Sequence, residues 1–329
     1  MTQERIFEQS LGLILDISIW SGSKTLKAED FQGYELPPEE LVSLGSKRLH
    51  SKDSFKPIQA VRTKAVSVLE ATGISLYGGR VWIIPDHAKS DVEASLQALA
   101  AEFQQEKDGF LRDFYTTQEE WLQKNNKWAS ILRPYLDTPE TVSKRFGFSW
   151  RIFRMGTAEQ GDDLAETITT DLTNNLLREV STLAEDAYQS LKGRDRATPK
   201  NLNRLEKLTD KLRGLSFVTP ASLVIETELS GILDERDSHG ALEGQGLFKL
   251  VRLLVQLKSP MVLNEVLEAA ERGQAYQFQY PAYVPPVDTA APHPQLQPQT
   301  NPAPAPAGAF VPAPVSAPPK PASLPTGWF

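Results

Sequence analysis

The chain has 329 residues, 40% of them hydrophobic, and a formal net charge of −7. That is enough for two domains, or for one large domain with a tail. It has no cysteine, which excludes disulfides, thiolate zinc sites and cysteine nucleophiles, and its acidic balance argues against coating nucleic acid over a wide surface.

The start, Met1-Thr-Gln-Glu-Arg-Ile, places an acid before a short apolar stretch, whereas a secretory signal wants a basic start and a longer apolar core. No run reaches the ~18 apolar residues of a membrane helix, so a cytoplasmic protein with no membrane partner is expected. Leu13, Leu15, Ile17 and Ile19 alternate with Ile14, Asp16, Ser18 and Trp20, which predicts a strand that opens the body. Ser21-Gly22-Ser23 is a turn cluster, and Lys24-Thr25-Leu26 is expected to return as the second strand of a hairpin. Gly22-Ser-Lys-Thr25 looks at first like the end of a nucleotide-binding loop. That loop needs Gly, four residues, then Gly-Lys-Ser/Thr, because bare backbone amides must wrap the phosphates. Here Ser23 and Ser18 occupy the two glycine slots, so the stretch reads as a turn.

A helix is predicted from Pro57 to Ala71, stopped by Gly73. Ile74-Ser-Leu-Tyr77 and Val81-Trp-Ile-Ile-Pro85, joined through Gly78-Gly79, form a second hairpin. From about Ser90 to Gln123 the spacing changes to one long helix, with Val92, Leu96, Leu99, Phe103, Phe110, Phe114 and Trp121 on its apolar stripe. Trp128, Ile131, Leu132 and Tyr135 follow a break, Thr138-Pro-Glu-Thr starts a short capped helix, and Phe146 to Met155 reads as extended. A second long helix is predicted over Asp162–Lys192, then helices over Pro199–Leu215, Pro220–Asp234, Gly246–Leu257 and Pro260–Gly273. Each long helix would span on the order of 45 Å, and an antiparallel pair is the economical packing. The pattern leaves open whether they pair within one chain or between two copies.

From Pro281 to Phe329 the sequence is dominated by Pro, Ala and Gln, which disfavours regular structure and offers little bulk for a core. A disordered tail is expected there, closing on Trp328 and Phe329, two aromatics able to act as a partner-docking anchor. The expected fold class is thus mainly α with a small β component (α+β): short N-terminal hairpins, two long antiparallel helices, a helical C-terminal part and a disordered Pro-rich tail. The corresponding divisions are 1–155, 156–278 and 279–329.

Two segments carry clustered cations. Lys47, Arg48, Lys52, Lys56, Arg62 and Lys64 are interrupted only by Asp53, and suit phosphate or an acidic face on a partner. Lys144, Arg145, Phe146, Phe148, Trp150, Arg151 and Arg154 interleave charge with aromatics, the composition of an RNA-stacking strand, although the glycine that the RNA-recognition consensus wants is missing. The plainer reading is one aromatic face in the core and one solvated basic face. His50, His87, His239 and His293 stand in no metal-binding spacing. No catalytic or cofactor motif is found, and neither catalytic residues, cofactor nor metal are expected.

Leu15-Asp-Ile-Ser-Ile-Trp-Ser-Gly-Ser-Lys-Thr-Leu26, Leu41-Val-Ser-Leu-Gly-Ser-Lys-Arg48, Gly73-Ile-Ser-Leu-Tyr-Gly-Gly79 with Ile84-Pro85, and the helix through Phe103, Phe110, Phe114 and Trp121 occur in an order that resembles a bacterial and phage family, domain-of-unknown-function family 3150. The resemblance implies no activity. Members are often encoded, on plasmids and phages, near a MoxR-type AAA+ ATPase and a von Willebrand A-type protein. This implies an accessory subunit of an ATP-driven remodelling system, with those two proteins as partners. A non-enzymatic adaptor is therefore the leading expectation, and a nucleic-acid-associated protein using residues 47–64 and 144–154 the alternative.

Overall fold

The strand β1 (Ser10–Ser18) organises the N-terminal half. In the computed structural model, which describes residues 3–27, 45–156 and 162–283, β1 is central in a four-stranded antiparallel sheet. Its neighbours are β4 (Ile74–Leu76), β5 (Val81–Pro85) and β6 (Gly147–Phe153), in the order β4-β5-β1-β6. The first half of β1 pairs with β5, from Ser10↔Pro85 to Leu13↔Trp82. The longer pairing is with β6, from Gly12↔Phe153 to Ser18↔Gly147. Alternation along the strands then assigns faces. Leu11, Leu13, Trp82 and Ile84, with Trp150 and Ile152 beside them, enter one apolar layer, while Ile74, Leu76 and Ile83 enter another.

The first layer is closed by α2 (Lys56–Thr72) and α3 (Lys89–Arg112). Ile58 and Val61 from the start of α2 cluster with Phe103 and Phe110 late in α3. Ala65 and Leu69 cluster with Val92 and Leu96, early in α3, so the two helices run antiparallel. The second layer is helical: α7 (Asp162–Leu191), α8 (Pro199–Gly214), α9 (Ala221–Leu233), α10 (Gly244–Leu257) and α11 (Pro260–Glu271) share one core with Ile6, Ile74, Leu76 and Ile83 of the N-terminal part. Residues Met1–Pro285 accordingly cluster as a single unit, and the core runs without a gap across position 155/156. No helix among the described residues is long and apolar enough to cross a membrane.

The α+β class, with helix predominating, is as expected. Four details differ. A short helix, α1 (Gln3–Gln9), precedes β1 and buries Ile6 and Phe7; it is too short to display a periodicity. The strand β2 (Ser23–Thr25) does not return along β1 but pairs with β3 (Ser46–Arg48), Lys24 opposite Lys47. Gly22, at φ +65°, turns the chain away while its Cα lies against Phe55, leaving no room for a side chain. The long helix predicted over 90–123 is interrupted at Asp113 (φ −92°, ψ 7°), after which α4 runs Phe114–Lys124; Gly109 already weakens the preceding turn. Finally, the two long helices do not form a pair along their lengths: α3 packs on α2, and α7 on α10 and α8. Length sets how far a helix reaches, and the complementary apolar face selects its neighbour.

The C-terminal part stays anchored beyond Gln279. Phe278 is buried in the helical core, the Gln279 amide donates to Gln256 Oε1 at 2.8 Å, and Tyr280 Oη donates to Glu228 at 2.6 Å. The ring of Tyr283 lies 5.4 Å from that of Phe248. The unit therefore ends near Pro285 rather than at residue 278, because aromatics spaced by two pin an otherwise irregular strand. The expectations for the Pro-rich tail, Trp328 and Phe329 included, lie outside the described residues.

Candidate functional site

The nucleotide-loop resemblance of Gly22-Ser-Lys-Thr25 dissolves in the geometry. The Lys24 ammonium lies 2.8 Å from the largely buried Asp137 carboxylate and donates to the Tyr135 carbonyl at 2.7 Å. Its charge is spent on holding the connection between α5 (Ala129–Leu132) and α6 (Pro139–Ser143).

The two basic segments meet around Asp137, which pairs with Lys24, the strand neighbour of Lys47, at 2.8 Å and lies 4.0 Å from Arg145. Lys47 is buried, its ammonium 2.9 Å from the centroid of the Tyr135 ring, and the Arg48 carbonyl accepts from Trp121 Nε1 at 3.2 Å. Lys56 pairs with Asp53 at 2.7 Å and Lys64 with Glu102 at 2.6 Å, both on the surface, and Lys52 and Arg62 are exposed. In β6 the period-two pattern does what strand geometry dictates. Phe146 is buried, and Phe148 and Trp150 are half-buried against the core, while Lys144, Arg145, Arg151 and Arg154 face outward. Arg154 pairs with Asp86 at 3.0 Å. Phe146, Phe148 and Trp150 are turned toward the core, whereas Phe153, at the end of β6, is 38% exposed beside the outward cations.

Near β3 sits an aromatic chamber. His50 is fully buried, with ring centroids of Phe110, Phe114 and Phe55 at 5.3, 5.5 and 5.7 Å and of Trp20 at 6.0 Å. Its Nε2 lies 3.0 Å from Thr117 Oγ1, whereas Nδ1 meets no hydrogen-bond partner among the described residues. Burial pushes the imidazole pKa below its ordinary value, and backbone groups of Ser51 and Phe114 offset this only in part. With the folded value depressed, the unfolded chain takes up the proton first as pH falls. Stability is full above the ordinary value of 6.5 and is lost through the window below it, with a slope of at most about 1.4 kcal/mol per pH unit. His50→Gln is expected to flatten that part of a stability–pH profile measured by urea denaturation. An unchanged slope would show that His50 is not the group responsible.

Two further features escaped sequence reasoning. The first is a surface segment. From Gln123 to Thr141 the Asp137 carboxylate is largely buried, yet Trp128 and Ile131 stand 55% and 41% exposed there, and Tyr115 at the start of α4 is 62% exposed. Polar ties hold the segment: Arg133 to Glu119 at 2.6 Å, and Asp137 to Lys24. The aromatic spacing was visible in the sequence, but whether it faced a core was not.

The second is a cleft of about 710 Å³ between the end of α2, the β4–β5 hairpin, α7 and α8. Residues at helical spacing line both helices: Asn175, Arg178, Glu179 and Thr182 on α7, and Arg204, Lys207, Leu208 and Lys211 on α8. Lys211 is buried and spends its ammonium on Glu179, at 2.6 and 2.8 Å, and on the Glu70 carbonyl at 2.6 Å. Arg178 donates to Asn175, which in turn donates to the Ser75 carbonyl at 3.1 Å. Arg204 and Lys207 have no ion pair or hydrogen bond among the described residues. Trp82, Ile74, Leu183 and Leu208 supply apolar lining. The cations at 204, 207 and 211 share one helix face in a sequence of otherwise mixed charge, and only their position opposite Arg178 makes the pattern informative. Among the described residues no group of three or more His, Asp or Glu could hold a metal ion.

These observations define a mainly helical α+β protein with an apolar surface segment and a cation-lined cleft. Residues 8–259 match the family described as "Protein of unknown function (DUF3150)", and the chain belongs to that family. The match covers the sheet, the aromatic chamber and both walls of the cleft. No curated protein and no solved structure matches the chain.

Proposed function

We propose that this chain is a non-enzymatic adaptor or accessory subunit of a multiprotein system, cytoplasmic and phage- or plasmid-associated, working with a MoxR-type AAA+ ATPase and a von Willebrand A-type protein. The observation that supports this reading is the segment from Gln123 to Thr141. It is held in place by ion pairs, among them the largely buried Asp137 carboxylate with Lys24, and it presents Trp128 and Ile131 to solvent. A large aromatic beside an exposed aliphatic on a fixed backbone is the composition of an interface anchor, because little conformational entropy is lost when a partner covers it. Trp328 and Phe329 would add a tethered second contact.

The test is direct association with a MoxR-type AAA+ ATPase and a von Willebrand A-type protein from the same host, measured by calorimetry. The double variant Trp128→Ala/Ile131→Ala is expected to weaken binding by about tenfold or more. Leu223→Ala/Met261→Ala, also at exposed apolar positions but on α9 and α11, should leave it unchanged. A chain ending at Pro285 isolates the contribution of the aromatic tip without cutting the Tyr280 and Tyr283 contacts. Absence of association at tens of micromolar would sink the adaptor reading.

A further inference from the structure

We propose that the cleft between α7 and α8 is a binding site for a small polyphosphate-bearing ligand of nucleotide size, a site separate from the surface segment that supports the adaptor reading.

The argument starts from charge. Among the described residues, Arg178, Arg204, Lys207 and Lys211 line the cleft against two carboxylates, Glu70 and Glu179, in a chain whose net charge is −7. Glu179 is engaged by Lys211. Lys207 stands three residues from Arg204 and four from Lys211 on α8. Like charges at these spacings destabilise a helix unless an anion lies among them. Arg204 and Lys207, the cleft cations with no side-chain partner among the described residues, are both exposed. Arg178 faces them from α7, its guanidinium oriented by Asn175, which is itself fixed to the backbone of β4. A guanidinium held by a side chain tied to the sheet is pre-organised for a phosphate oxygen.

Shape and lining then narrow the ligand. A volume of about 710 Å³ lies within the range of small-molecule sites, roughly 300–1,000 Å³, and exceeds what a lone phosphate would fill. The apolar part of the wall, Trp82, Ile74, Leu183 and Leu208, gives the non-phosphate portion a surface. The pair between buried Lys211 and Glu179 ties α8 to α7 within the cleft, so the site does not depend on a mobile loop. Glu70 sits on the rim and sets a limit on how much negative charge one end of the cleft accepts.

The experiment titrates the full chain with the metal-free sodium salts of ATP and tripolyphosphate by calorimetry at low salt. Binding of either, weakened about tenfold or more by Arg204→Ser/Lys207→Ser and by raised ionic strength, supports the site. Tighter binding of ATP assigns the apolar wall to its base; equal binding assigns the site to the phosphate chain. An octaglutamate peptide is titrated alongside. The proposal is overturned by no heat with either phosphate compound, by affinity unchanged in the double variant, or by octaglutamate binding that displaces ATP. Both substituted side chains are exposed, and urea denaturation of the variant confirms that the fold is retained.

Discussion

Phe114→Ala is expected to lower the stability of the folded unit by about 3–5 kcal/mol, the range for removing a large aromatic from a packed core. Phe114 is 0% exposed and stands at the first position of α4, directly after the interruption at Asp113. Its ring meets Phe110 edge-on at 5.6 Å and lies 5.5 and 5.8 Å from the rings of His50 and Trp20. Truncation would remove a ring from a cluster whose members come from β1's end, the loop after β3, α3 and α4, so no single element can move to fill the space. Phe114→Leu should cost much less, because most of the volume remains. The measurement is the urea midpoint by far-ultraviolet circular dichroism. If Phe114→Ala shifted it no more than Tyr115→Ala, the adjacent exposed position, the chamber would not be part of the stable core.

Glu179→Leu is expected to destabilise the chain by about 3 kcal/mol at neutral pH. The lower end of the range for a broken buried pair applies because Glu179 retains 33% side-chain exposure, whereas Lys211 has 3%. The cost arises on the partner: an ammonium among α7, α8 and the end of α2 keeps only the Glu70 carbonyl. Desolvation already holds the Lys211 amine below the usual lysine range, with Glu179 opposing that shift, and the substitution removes the opposition. The folded value then lies further below the unfolded one. Between the two values the unfolded chain binds more protons, so stability rises with pH there, and the deficit of Glu179→Leu should shrink in alkaline solution. Adding Lys211→Met should restore most of the loss at neutral pH by removing the buried charge. A double variant no more stable than the single one would show that packing, not charge, sets the cost.

The helices were legible because their apolar residues recur at three and four and their ends are marked: Thr198 caps α8, whose bounds match the expectation to one residue, and Gly73 follows α2. Pairing was less legible. Lys24-Thr25 forms a strand as the pattern predicts, but it pairs with β3 and not β1, because alternation specifies which side chains share a face and says nothing about which edge they meet. The same limit hid the cleft. Arg178 and Lys207 are 29 positions apart, and their opposition exists only once α7 and α8 have packed. The aromatic side of 144–154 was correctly ambiguous in sequence, and register with β1 decided it by placing Trp150 opposite Leu15.

The register of β1 has a consequence for biosynthesis. Leu13 needs Trp82 on one side and Ile152 on the other, so the strand remains half-paired until residue 153 has been made. At roughly 5–20 residues per second, β1 waits on the order of ten seconds on the ribosome with one edge open, and longer before α7 arrives to cover Ile74, Leu76 and Ile83. Nascent chains of this protein therefore display an apolar strand until β6 has been made. Slow elongation should raise their dependence on holding chaperones far more than any loss of stability in the finished fold would suggest.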